Sequence, residues 1–194
     1  MNFLAHLHIA QHCQSDLAGN LLGDFVKGDP YKSYPEDVAK GIKLHRFVDV
    51  YTDNHNAMKC GKSYFPDELR RFAPIALDLF WDHCLAKHWS EYHHQTLAQF
   101  CLYAESETSH LSYTVPDKFL QINSKVWQGK WLESYERFSN LEHALYRMSL
   151  RSERMGTLAG CFDSLAQHYD KLNALFPSLY NDVLEAAKAH SQQM

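Results

Sequence analysis

The chain has 194 residues, 45% hydrophobic and 22% charged, with eleven Tyr and eleven Phe, so a single core is large enough to hold it and disorder is confined to the ends. Its formal charge of −4 argues against nucleic-acid binding by bulk electrostatics. The five cysteines, at 13, 60, 84, 101 and 161, include no CxxC pair, which excludes a disulfide framework or zinc ribbon and predicts reduced, mostly buried thiols. The opening segment MNFLAHLHIAQHCQSD lacks a basic flank, and His6, His8 and His12 interrupt its apolar stretch. It reads as a helix over 2–12 rather than a signal peptide. Residues 15–27 form a second helical stretch opened by Ser15 or Asp16, and the Gly- and Pro-bearing segment 28–35 marks a loop. A helix from Pro35 to about Tyr51 follows, with Val38, Ile42, Phe47, Val48 and Tyr51 at helical spacing and Glu36 and Asp37 at its positive end. Residues 66–72, and then Pro74 to Trp89, are the next predicted helices, the second apolar on so many sides that it belongs at the centre. Further helices are predicted at about 94–111, 117–128, 130–136, 139–150 and 158–189, the last with a break at Pro177. No strand alternation and no run long enough to span a bilayer interrupts this pattern, so the expectation is an all-α, single-domain helical bundle in the cytoplasm with no membrane partner.

Of the thirteen histidines, seven precede position 90. In IKLHRFVDVYTD, His45 and Asp49 lie four apart and project from one helix face, where an imidazole and a carboxylate can share a divalent cation or simply hydrogen-bond to each other. Asp53 extends the same stripe if the helix continues that far. Asp78, Asp82 and His83 interrupt an apolar run, and a carboxylate buried there needs an Arg, a His or a metal as partner. Asp24 lies beside glycines that permit close backbone approach, and is either a ligand or a turn aspartate. His6 and His8 are two residues apart, so a helix cannot aim both at one ion. An oxygen-and-imidazole donor set without thiolate spacing suits Mn²⁺, Fe²⁺, Mg²⁺ or Zn²⁺. A cation so held lowers the pKa of a water and withdraws charge from a phosphoryl oxygen, so the implied chemistry is hydrolysis, with Arg46 and Lys43 available for the phosphate.

Four blocks, MNFLAHLHIA, GNLLGDFVKG, GIKLHRFVDVYTDNH and APIALDLFWDHCLAKHW, together resemble the bacterial acyl carrier protein phosphodiesterases over the first ninety residues. The resemblance implies hydrolysis of the phosphodiester between 4′-phosphopantetheine and a serine of holo-acyl carrier protein, with Mn²⁺ as the metal and Mg²⁺ or Fe²⁺ as substitutes. It also implies an HD-phosphohydrolase-like helical fold, one domain over 1–194 with the metal and catalytic residues concentrated in 1–90. The adjacent pair here runs Asp82–His83, the reverse of the HD order. The expected metal set is His6, Asp24, His45, Asp49 and Asp82, with Asp53 and His83 as further catalytic candidates and Arg46 as the phosphate contact. Because carrier proteins are acidic around the modified serine, Lys40, Lys43, Arg70 and Arg71 are the expected docking cations. Three rival readings are a phosphohydrolase of nucleotides or other small phosphoesters, a non-catalytic carrier-binding module, and a di-iron carboxylate protein, the last weakened by the lack of paired Glu-x-x-His signals.

Overall fold

A computed structural model describes residues 1–194, and every regular element in it is helical. Helix α1 spans Phe3–His12, α2 Leu17–Leu22, α3 Glu36–Asn54, α4 Asn56–Lys62, α5 Ala73–Lys87, α6 Trp89–Tyr92 and α7 Leu97–Ser109. They are followed by α8 at Asp117–Gln128, α9 at Trp131–Ser134, α10 at Asn140–Ser149, α11 at Cys161–Gln167 and α12 at Tyr169–Ser191. Short 3₁₀ segments occupy Pro30–Lys32 and Glu153–Gly160. No helix is long and apolar enough to cross a membrane. All five cysteines are free thiols, and Cys84, Cys101 and Cys161 are buried.

Two predicted elements are corrected. Residues 66–72 form successive turns, not a helix: their backbone bonds run mostly to the third residue back, Leu69 to Pro66, Phe72 to Leu69 and Ala73 to Arg70, and Pro74 has no N–H with which to continue a helical ladder to the Arg70 carbonyl. The C-terminal stretch breaks at His168, whereas Pro177 sits inside α12. The buried face of Leu172, Phe176, Leu179, Tyr180, Val183 and Ala187 outweighs the one hydrogen bond that the proline removes. Helices α4 and α6 were not anticipated.

One contiguous core of 46 buried residues joins α1 and α5 to the surrounding helices. In α1 every residue from Leu4 to Ala10 is buried, including His6 and His8, and α5 is buried almost throughout. Helices α2 and α3 approach closely: a Cβ added to Gly19 would lie 2.4 Å from the Val38 carbonyl, and one added to Gly41 would lie 2.9 Å from the Asp16 carbonyl. Only glycine on both helices permits that separation. The Asp16 side chain caps α2 by accepting from the Gly19 N–H. The result holds the end of α2, and the residues just after it, against the middle of α3.

Candidate metal centre

Three elements converge beside α3. Helix α1 contributes His6, α3 contributes His45 and Asp49 one turn apart, and the residues after α2 contribute Asp24. The two oxygens of Asp49 are divided between the imidazoles: Oδ1 lies 3.0 Å from His6 Nε2 and Oδ2 lies 3.1 Å from His45 Nε2. Asp24 Oδ1 is 3.5 Å from the same nitrogen of His45, on the exposed side. The two rings stack with centroids 3.8 Å apart and planes 20° apart. One ligand atom each from His6, His45 and Asp49 fits within 4.8 Å of the others.

Stacked, buried imidazoles cannot both carry a proton cheaply. Burial, reinforced by His45, lowers the pKa of His6 to about 4. Burial also opposes charge on His45, but the Asp24 and Asp49 carboxylates overcome it and raise its pKa to about 9. Although partial burial works the other way, the same two histidines hold the Asp49 carboxyl well below the usual range.

His45 Nε2 and Nδ1 and His6 Nδ1 are all buried, and none makes a hydrogen bond. Buried polar groups are seldom left so, and an orphaned Nε2 within 3.5 Å of two carboxylates is the arrangement of a cation site. Two imidazole nitrogens and carboxylate oxygens therefore fit a divalent ion of the Mn²⁺, Fe²⁺ or Zn²⁺ type.

Gly23, the residue before Asp24, packs flat on the His45 ring: an added Cβ would fall 2.2 Å from Cγ and Cδ2. Gly23→Ala should push the His45 ring out of place. We expect at least about a tenfold loss of Mn²⁺ affinity and a stability loss of about 1–3 kcal/mol, read by titration calorimetry and urea unfolding.

Asp82, expected at the metal, and His83, expected as a further catalytic residue, are engaged elsewhere. Asp82 is fully buried, and its two oxygens accept the Leu4 and Ala5 N–H groups at 2.8 and 3.0 Å. It thus caps α1 from a position some eighty residues away, where the local N-cap residue Asn2 makes no side-chain bond. Burial raises the pKa of Asp82 to about 7, the two N–H bonds acting in the opposite direction. Both nitrogens of His83 are engaged, Nδ1 with the Tyr135 carbonyl at 2.7 Å and Nε2 with the Tyr169 hydroxyl at 2.8 Å. His8 turns away from His6 and meets the Tyr180 hydroxyl at 2.7 Å. Asp78 pairs with the Met1 ammonium at 2.9 Å, a group that also lies 3.6 Å from Asp49. Asp53 is on α3, as its spacing requires if the helix continues, but it is exposed and outside the ligand cluster.

The predicted phosphate and docking cations are likewise engaged locally. Arg46 donates to the Val26 and Gly28 carbonyls at 2.7 Å each, which ties the chain after Asp24 to α3 beside His45. Lys43 lies 5.2 Å from the Tyr31 ring centre, Arg71 lies 4.5 Å from that of Phe72, Lys40 pairs with Glu36 and Arg70 with Asp67. Sequence reasoning missed a second group. Asn2, Lys125, Trp131, Tyr135, Arg147 and Arg151 share with Asp24 the lining of a 580 Å³ cavity next to the cluster. Arg147 on the amphipathic helix α10 and Arg151 just past its end gave no signal beyond that of ordinary solvated cations.

The family model for acyl carrier protein phosphodiesterase matches residues 1–183. The acyl carrier protein phosphodiesterase of Enterobacter sp. (strain 638) is 41% identical over 189 residues, covering 97% of this chain and 98% of that protein. The protein of the same name from Yersinia pestis is 41% identical over 194 residues, covering 99% and 100%, and that of Pectobacterium atrosepticum is 40% identical over 189. No solved structure matches the chain significantly.

Proposed function

Because the chain belongs to the acyl carrier protein phosphodiesterase family, we propose that it hydrolyses the phosphodiester joining 4′-phosphopantetheine to the serine of holo-acyl carrier protein, using a divalent cation held by His6, His45 and Asp49. The observation that carries the reading is the division of the Asp49 carboxylate between two stacked, buried imidazoles, one of which has no hydrogen-bond partner at either nitrogen. Mn²⁺ is the ion we favour, with Mg²⁺ or Fe²⁺ as substitutes, because the donors are imidazole nitrogens and carboxylate oxygens. When bound, the cation supplies Lewis-acid charge withdrawal from the phosphoryl group. The bond from phosphorus to the serine oxygen breaks, water supplies the new oxygen on phosphorus, and the serine oxygen leaves with a proton. In this reading Asp24, on the open side, accepts a hydrogen bond from the attacking water. Arg46 keeps that segment against α3.

The test is mass spectrometry of purified holo-acyl carrier protein incubated with the protein and Mn²⁺, beside an EDTA control. Loss of the prosthetic-group mass only with metal supports the reading. An unchanged carrier mass with metal-loaded protein overturns the substrate assignment and turns attention to small phosphoesters. The metal itself can be read independently. With a pKa of about 9, His45 is protonated near neutral pH, whereas His6, at about 4, is not. Coordination must displace that one proton, so apparent Mn²⁺ affinity should rise about tenfold per pH unit from neutrality to about pH 9 and then level off. Calorimetry in buffers of different ionisation enthalpy should count about one proton released per ion. A pH-independent affinity would remove His45 from the ligand set.

A further inference from the structure

Beside the metal cluster lies a cavity of 580 Å³, within the roughly 300–1,000 Å³ typical of small-molecule sites. Its base is Asn2 and Phe3 at the start of α1 and Leu79 of α5, and its walls come from α8, α9 and α10. Asp24 belongs both to this lining and to the cluster around His45, so the two spaces adjoin. Asp24 is also the only acid in the lining.

Against it stand three cations, Lys125, Arg147 and Arg151, and none of them has a carboxylate within ion-pair distance. The Arg147 guanidinium lies 5.4 Å from the Trp131 ring centre, which fixes it in the wall without neutralising it. Ile122, Trp131 and Met148 make the rest of the surface substantially apolar. A concave, part-apolar slot with free guanidinium groups suits a slender ligand that has hydrocarbon stretches, carbonyl acceptors and an anionic end.

We propose that this cavity seats the 4′-phosphopantetheine arm of the substrate, with Arg147 and Arg151 as substrate-binding residues. The proposal rests on the phosphodiesterase reading above and adds to it the site of the leaving prosthetic group. The gem-dimethyl and methylene segments of the arm lie on Ile122, Trp131 and Met148. Its amide carbonyls and phosphate accept from the arginines. The phosphate stays on the arm after hydrolysis and gains a negative charge, so the released 4′-phosphopantetheine is retained more strongly than pantetheine, which lacks it.

Two variants of the full chain test this, each checked for native helicity by circular dichroism and for native Mn²⁺ binding by calorimetry. Arg147→Ala/Arg151→Ala should raise KM for holo-acyl carrier protein by about tenfold or more, the loss expected for charge-assisted contacts, with little change in kcat. Ala144→Trp, which fills the slot, should stop turnover. Calorimetry of the metal-loaded protein should find binding of free 4′-phosphopantetheine that both variants lose, and weaker binding of pantetheine. If the double variant keeps native KM and Ala144→Trp turns over at the native rate, the assignment of the cavity is overturned while the phosphodiesterase reading stands. If the unaltered protein releases no prosthetic group, that reading falls, and the calorimetry alone decides the cavity: binding lost in both variants supports it, and no binding to the unaltered protein overturns it.

Discussion

Replacing Asp49 by alanine should abolish Mn²⁺ binding by calorimetry and reduce release of the prosthetic group by about a thousandfold or more, because the variant loses the metal's role in stabilising charge at phosphorus. Asp49 is the one side chain that meets both imidazoles. Without it the His6 ring loses its only hydrogen bond, and His45 loses one of the two charges that lift its pKa to about 9. The carboxylate is 38% exposed, so the cost to the fold should be small beside the cost to the site. Native circular dichroism and an unfolding midpoint close to that of the unaltered protein should accompany the inactive variant. An Asp49→Ala protein that still binds Mn²⁺ stoichiometrically would show that the ion is held elsewhere.

The opposite balance is expected at Asp82. Asp82→Ala strands the Leu4 and Ala5 N–H groups in a region where all three residues are fully buried. Each orphaned donor costs about 1–3 kcal/mol, so the expected loss for the two is about 2–6 kcal/mol in urea unfolding. Native domains have only about 5–15 kcal/mol in total, which makes this a large fraction. Asp82→Asn keeps one acceptor oxygen and should lose roughly half as much. Activity should fall as well, since α1 carries His6, but it should fall together with stability. A variant of native stability that had lost only its Mn²⁺ would return Asp82 to the coordination sphere.

The contrast between these aspartates shows where the sequence could be read and where it could not. His45 and Asp49 share one helix, and a 3.6-residue repeat is enough to bring them to one face. The same local rule, that residues two apart diverge, separates His6 from His8, and the structure sends them to Asp49 and Tyr180. Asp82 obeys a different logic. Its apolar neighbours announce that a carboxylate is buried, yet the partner that satisfies it is backbone from the far side of the core, which no spacing reveals. Arg46, read as a phosphate contact because it is a cation next to His45, also donates to the loop carbonyls of Val26 and Gly28, partners that its spacing does not reveal.

Among the helices, α8 was legible at both ends because Pro116 precedes it and Gly129 follows it at its C-cap, and α3 was legible from its acidic first turn. Helices α4 and α6, of seven and four residues, are too short to complete a convincing periodic pattern. The cavity was the least legible feature. It exists only when Asn2, Asp24 and the segment from Ile122 to Arg151 meet, and each of its cations alone looks like an ordinary surface residue.

The bonds from Asp82 to Leu4 and Ala5 also set the order in which the molecule can assemble. During synthesis α1 emerges before most of its stabilising contacts exist. Its first turn must wait for a residue 78 positions later than Leu4, and His8 must wait for Tyr180, 172 positions later. Closing loops of that length before any contact rewards them is slow and entropically costly. The helix that is first in the sequence is therefore among the last to become secure. The cluster of His6, His45 and Asp49 draws one of its three residues from that helix.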